Sequence, residues 1–293
     1  MATQLTPEYV KQVNQGFNRV FTDAIKDAHK DYELIATQIK ASTPTVRYDF
    51  LADLPSMREW IGDRVLNELS VHEYSIVKKD WEASIKVHRD NIVYDNLGIV
   101  KPKIQSLAEA VTEHYEGGVF GMLEANGVCY DGKNFFATDH EINGVTFSNL
   151  GNRELSREAV LETMTEMKRI TKDNGTPLRV RPTLLIVPPE LASKAIEIIN
   201  AERVDGGNSN VTYKMFELYI CDWLTDQKSW YLLDTSRVLK PIILQINKEA
   251  EFVSQDNLSD EAAFLRKEFR YGVDTEDNFG YGLWQLAYKN EVA

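Results

Sequence analysis

The chain has 293 residues, 43% of them apolar, and a formal net charge of −12 from 33 Lys and Arg against 45 Asp and Glu. That length allows one large domain or two ordinary ones, with enough apolar residues for a core. The acidity disfavours a reader of duplex DNA, whose affinity rests on clustered Lys and Arg, and permits a container that repels DNA without holding it.

No run of about eighteen uncharged apolar residues occurs, and the opening Met-Ala-Thr-Gln-Leu-Thr-Pro-Glu lacks the basic head and apolar stretch of a secretory signal. Neither a membrane span nor export is expected, and the protein should stay in the cytoplasm where it is made. Cys129 and Cys221 lie far apart and read as reduced, small apolar side chains.

Taken in chain order, Val10, Val13, Phe17, Val20, Phe21, Ala24, Ile25, Ala28, Tyr32 and Ile35 share one stripe at helical spacing, so a helical arm is expected over Pro7 to Ile35. The helix-hostile run Ala41 to Thr45 follows as a linker, and the arm docks either on its own domain or on a neighbour. Trp60 to Ile92 reads as a long charged hairpin. Tyr74, Ile76 and Lys78 alternate with Ser75 and Val77, the turn falls near Lys79 and Asp80, and Trp81, Ala83, Ile85 and Val87 continue the alternation. Val100, Ile104, Leu107, Val111, Tyr115, Val119 and Met122 mark a long helix with Pro102 in its first turn. Gly117 and Gly118 interrupt that helix and suggest close packing or a bend there.

From Asn152 to Trp230 the pattern alternates helix and strand. Ser156 is the expected N-cap of a helix whose inner face is Val160, Met164, Met167 and Ile170. Thr183 to Val187 reads as a buried strand, Pro188 and Pro189 turn it, and Leu191, Ala195, Ile198 and Ile199 line the next helix. Asp205 to Asn210 reads as a mobile tip, and strands are expected at Tyr213 to Cys221, Ser229 to Leu233 and Ile242 to Ile246. Near the end, Leu265, Phe269, Tyr271 and Val273 share one strand face, a turn is expected over Asp274 to Gly280, and a second strand places Trp284, Leu286 and Tyr288 opposite Leu283, Gln285 and Ala287.

Motifs of catalysis are missing: no nucleophile elbow, no phosphate-binding glycine loop, no H-E-x-x-H and no C-x-x-C. All five histidines are flanked by charged residues, which predicts exposure. Asp139, His140 and Glu141, with Cys129 and Asp131 nearby, are the best candidates for a metal or acid/base site, but a structural loop is the favoured reading. No cofactor, metal or enzymatic activity is expected.

Several long strings in register carry a family resemblance: Met57 to Arg64, Cys129 to Gly132 with Thr138 to His140, Leu184 to Leu191, Lys240 to Gln245, Phe264 to Asp274 and Gly280 to Ala287. Together they resemble the major head (capsid) subunit of Mu-like phages and prophages. The resemblance implies an α+β chain of the Hong Kong 97-like fold, divided into an N-terminal arm (1–45), an extended loop and its base (46–95), a peripheral domain with a spine helix (96–150), an axial domain (151–235) and return strands (236–293) that complete the peripheral domain. A lone hairpin, a lone long helix and an α/β block bury one another poorly in a monomer and suit a shell.

The implied function is assembly into hexamers and pentamers of an icosahedral head that encloses double-stranded DNA without reading its sequence. The implied partners are further copies of the chain, a scaffold and protease, a portal and decoration proteins, and the implied location is the virion, assembled in the host bacterial cytoplasm. The expected assembly interface comprises Trp60, Arg64, Lys78, Lys79, Trp81, Arg89, Phe17 and Phe21, with the aromatic anchors outweighing exposed ion pairs worth about 0–1 kcal/mol each. Two alternatives are an encapsulin-like nanocompartment shell, which packages protein, and a metal-dependent hydrolase using Asp139, His140 and Glu141.

Overall fold

The computed structural model describes residues 5–48, 74–94, 97–172, 174–203 and 207–292. Helix α1 (Pro7–Asp27) starts where the Thr6 side chain accepts the Tyr9 N–H, with Pro7 in its first turn. It stops eight residues short of the expected end. Ala28 turns extended, Asp31–Leu34 forms a 3₁₀ turn, and Ala36–Lys40 becomes strand β1. The apolar stripe therefore continues through Tyr32 and Ile35 by a change of element.

Strands β2 (Thr45–Arg47) and β3 (Ser75–Val77) pair antiparallel, and residues 49–73 between them lie outside the described residues. The hairpin expected between β3 and β4 (Lys79–His88) does not form. The chain passes from one to the other without a turn, because β4 finds its partner in a strand nearly two hundred residues later. After the short helix α2 (Arg89–Val93), helix α3 (Leu97–Ala125) runs 29 residues, roughly 43 Å at 1.5 Å per residue. It begins earlier than expected, so Pro102 lies in the second turn, where it cannot donate to the Gly98 carbonyl.

A short hairpin follows, β5 (His140–Ile142) and β6 (Val145–Phe147), turned by Asn143 and Gly144 at φ 48° and 77°. Positive φ at both central residues is what a tight two-residue hairpin requires. Strand β7 (Leu150–Gly151), helix α4 (Arg157–Lys168), strand β8 (Leu184–Val187) and helix α5 (Ala192–Asn200) come next. Ser156 caps α4 by accepting the Ala159 N–H at 3.0 Å. Strand β9 is confined to Glu217–Ile220, since Lys214 at φ 51° turns the chain before it. Residues 205 and 206 of the expected mobile tip lie outside the described residues.

Strands β10 (Trp230–Leu233), β11 (Ile242–Gln255), β12 (Glu268–Tyr281) and β13 (Ala287–Asn290) complete the chain, with helix α6 (Glu261–Arg266) between β11 and β12. The turn expected over Asp274 to Gly280 is instead the second half of β12, because its acidic residues find side-chain partners on other parts of the chain. Lys248 reaches Asp274 at 2.5 Å, Lys78 reaches Glu276 at 2.6 Å and His114 reaches Asp277 at 2.8 Å.

Two sheets result. The first has the order β1-β11-β12-β4, with β1 parallel to β11 and the rest antiparallel. Helices α1 and α3 cover one of its faces. Phe17 meets Tyr271 edge-on at 5.2 Å, Phe21 lies 5.5 Å from Phe252, and Tyr32 from the 3₁₀ turn meets Tyr115 of α3 at 5.5 Å. The long helix is thus buried by its own chain, contrary to the expectation of a lone helix. The second sheet has the order β7-β13-β10-β8-β9, flanked by α4 and α5. All side chains of β8 and β10 are buried, which explains their unbroken apolar runs, and each such side chain contributes about 1.5–3 kcal/mol relative to exposure. Strand β13, in the segment expected to complete the peripheral domain, pairs between β7 and β10 in the second sheet.

Candidate functional site

The surfaces open to a partner are best located by what the fold leaves uncovered. On the first sheet, β4 is an edge strand, and its inward and outward side chains alternate. Ala83, Ile85 and Val87 point toward the helices, while Glu82, Ser84 and Lys86 point to the face that α1 and α3 leave uncovered among the described residues. There, Gly272 leaves a groove of about 590 Å³ between Lys86, Arg270, Ser84 and Val253.

At the other end of β4, Trp81 packs against His114 with ring centroids 4.5 Å apart and tilted by 47°, and keeps 38% of its surface exposed. With Val111, Val273 and Thr275 it lines a recess of about 100 Å³. Beneath it Asp277, fully buried, accepts from His114 Nε2 at 2.8 Å and from the Thr275 hydroxyl at 3.1 Å. Trp81 therefore rests on the hydrogen-bonded pair of His114 and Asp277 and keeps part of its ring exposed.

The expected interface residues are dispersed. Lys78 is engaged within the chain, 2.8 Å from Asp80 and 2.6 Å from Glu276, and those carboxylates hold its ammonium above its ordinary value. Lys79 is exposed and has no ion-pair partner among the described residues. Arg89 fixes the start of α2, its N–H donating to the Lys267 carbonyl at 2.7 Å. Phe17 and Phe21 are 2% and 3% exposed and pack inside the subunit, so as contacts between subunits they are a correction. The helical stripe that suggested them already has its partner surface in β11 and β12. Trp60 and Arg64 lie outside the described residues.

Sequence reasoning missed the pair Phe264 and Leu265, which are 81% and 62% exposed on α6 at the turn between β11 and β12. Leu265 was expected on the buried face of a strand. Lys267 in the left-handed conformation, φ 53°, ends the helix and resets the side-chain alternation before Phe269. The run Asp260-Glu261-Ala262-Ala263 was a readable helix start.

His140 also departs from expectation. Its flanking charges predicted exposure, yet it is fully buried and stacked on Trp284 at 3.9 Å and 5°. Nδ1 meets Asp131 Oδ2 at 2.5 Å, while Nε2 faces the Phe135 carbonyl at 3.3 Å and Asn149 Oδ1 at 3.2 Å. The Cys129 thiol donates to Asp131 Oδ1 at 3.0 Å. Burial opposes ionisation of Asp131, but hydrogen bonds from His140 and Cys129 outweigh it and hold the carboxyl below its ordinary value. Burial and the same carboxylate push the Cys129 thiol up. Asp139 and Glu141 do not join this cluster, Asp139 being held by Lys133 at 2.5 Å. The flanking carboxylates point outward because the histidine begins a strand, where successive side chains alternate.

Among the described residues no helix is long and apolar enough to cross a membrane. A family model described as "Mu-like prophage major head subunit gpT" matches residues 10–154, 147–224 and 225–293. The chain is 32% identical over 286 residues to the Mu-like prophage FluMu major head subunit of Haemophilus influenzae, covering 97% of this chain and 73% of that protein. It is 26% identical over 285 residues to the major capsid protein of Escherichia phage Mu, with the same coverage. Among solved structures, the procapsid of bacteriophage JBD30 superposes with a TM-score of 0.64 at 30% identity, over 99% of this chain and 77% of that one.

Proposed function

Because the chain belongs to the Mu-like prophage major head subunit family and is a capsid-forming protein of the virion, we propose that its copies close into hexamers and pentamers of an icosahedral head around double-stranded DNA. The α+β architecture is the Hong Kong 97-like phage capsid fold. A structural role follows from the family, and in this reading no catalytic step is needed.

The observation that carries the proposal is the match of the family model along nearly the whole chain, joined to open surfaces suited to copies of the same chain. Residues 1–45 act as the arm, 46–95 as the extended loop and its base, 96–150 with 236–293 as the peripheral domain, and 151–235 as the axial domain. The β2/β3 pairing supports the second of these, since it brings Thr45–Arg47 beside Ser75–Val77. The crossing of β13 into the second sheet means that the return segment serves both bodies. Subunit contacts run through Trp81, Lys79 and the Phe264–Leu265 pair, with many weak contacts summing to a stable shell. A scaffold with its protease, a portal and decoration proteins complete the head, and the charge of −12 suits a DNA container more than a DNA binder.

Electron microscopy of the protein expressed alone and fractionated by size tests this directly. Closed shells or ring-shaped capsomers are expected. A uniformly small species across salt and concentration, also unchanged by a co-expressed scaffold, overturns self-assembly.

A further inference from the structure

We propose that Cys129, Asp131 and His140 form a site for one zinc-type divalent cation. Their three donor atoms, a sulfur, a carboxylate oxygen and an imidazole nitrogen, lie within 4.8 Å of one another. A tetrahedral ion with bonds of about 2.0–2.3 Å keeps its ligand atoms roughly 3.4 Å apart. The present contacts, 3.0 Å for Cys129 Sγ to Asp131 Oδ1 and 2.5 Å for His140 Nδ1 to Asp131 Oδ2, run to the two oxygens of one carboxylate and are shorter than that, so the thiol, carboxyl and ring move apart around the ion to admit it. Mixed thiolate, imidazole and carboxylate ligation suits zinc and cobalt in preference to calcium or magnesium, which take oxygen ligands.

The second observation is the far side of the imidazole. Asn149 Oδ1 is assigned as the oxygen because it accepts the Ala137 N–H at 2.8 Å, while Nδ2 donates to the carbonyls of Phe135, Trp284 and Ala287. His140 Nε2 thus faces two acceptors and carries a proton. Nδ1 is left as the nitrogen that can turn a lone pair toward an ion. A histidine whose outer N–H is tied to a carbonyl and whose ring is locked by packing is the arrangement that metal-bound histidines use. Trp284 supplies the lock.

Charge balances as well. The cation enters as the thiol proton of Cys129 and the proton between His140 Nδ1 and Asp131 leave, and the two charges gained match the two protons lost. Thiolate and carboxylate then neutralise the ion within the fold, so the buried site carries no net charge in either state. The side chain of Asp131 is 14% exposed and marks the open fourth position, which a water would fill. Loaded, the ion ties the loop that follows α3 to β5, beside Trp284, where the chain turns toward β13.

The test uses the full chain titrated with zinc chloride by calorimetry in two buffers of different ionisation enthalpy, with cobalt(II) as a spectroscopic stand-in. One equivalent per chain is expected, with about two protons released per ion and a cobalt–thiolate charge-transfer band. Cys129→Ser, a near-isosteric change, is expected to abolish the band and to weaken zinc binding by more than about 100-fold, while Cys221→Ser leaves both intact. Asp131→Asn, which preserves most of the local hydrogen bonding, is expected to weaken binding more than about tenfold. Near-ultraviolet dichroism checks that each variant is folded. Absence of saturable one-to-one binding in the parent, or a cobalt band and wild-type affinity that survive Cys129→Ser, overturns the site.

Discussion

Gly118 of α3 faces Phe279 of β12 so closely that a Cβ on Gly118 would overlap the phenyl ring. The residue trades helix propensity for an approach that a side chain forbids, and the ring it admits also packs on His114 at 5.4 Å. Gly118→Ala is therefore expected to destabilise the subunit by about 1–3 kcal/mol through overpacking. Gly121→Ala, three residues on and facing open space, is expected to stabilise it by up to about 1 kcal/mol. Denaturant midpoints of the two variants check this, and equal signs would remove the packing explanation.

The buried Asp277 carboxylate depends on His114. His114→Ala leaves it with the Thr275 hydroxyl and withdraws the ring beneath Trp81, at an expected cost of about 1–3 kcal/mol. In the double variant with Asp277→Asn the added loss should be much smaller than the sum of the single losses. Additive losses in a double-mutant cycle would show the two groups to be uncoupled.

Trp81 and the Phe264–Leu265 pair are exposed apolar groups on a subunit whose other large aromatics are mostly buried. Trp81→Ala and Phe264→Ser are each expected to lower the yield of assembled particles several-fold while the free subunit keeps its melting temperature within a few degrees. Particle counts by microscopy beside thermal scans separate the two effects, and an unchanged yield takes the substituted residue out of the interface.

Asp226 accepts from the N–H groups of Lys228 and Ser229 at 3.1 and 3.3 Å and from the Ser229 hydroxyl. Burial opposes its ionisation, but these bonds win and its carboxyl sits below the ordinary value. A lowered folded value means that its contribution is complete above the unfolded value of about 4 and is lost as pH falls through the folded one. Asp226→Asn should therefore be less stable than the parent at neutral pH, with the gap closing in acid. A gap that stays constant down to pH 2, an arbitrary low-pH end point of roughly two units below the unfolded value, would show that the carboxylate is not the cause.

Local signals were readable in the sequence and long-range ones were not. The Ser156 cap, the buried β8 run, the helix stripe of α3 and the Phe269-Tyr271-Val273 face follow from spacing alone, and the structure repeats them. The expected hairpin at β3 and β4 failed because alternation fixes a strand but does not name its partner, and β4 pairs with β12. The expected turn at Asp274 failed for a related reason: Lys78, His114 and Lys248 come from distant parts of the chain to make an acidic segment tolerable in a strand. His140 read as exposed because neighbours in sequence were taken for neighbours in space. Of the surface residues expected to form contacts, Trp81 and Lys79 are open, while Phe17 and Phe21 are enclosed by the arm's own docking.

The strand β13 lies between β7 and β10 and follows every other strand of that sheet in chain order. Until it docks, the second sheet is two pieces, and the edge of β10 is open to pairing with any other strand. Closure of this sheet therefore waits until synthesis has passed Asn290, and a chain that stops short of it lacks the piece that joins the two halves.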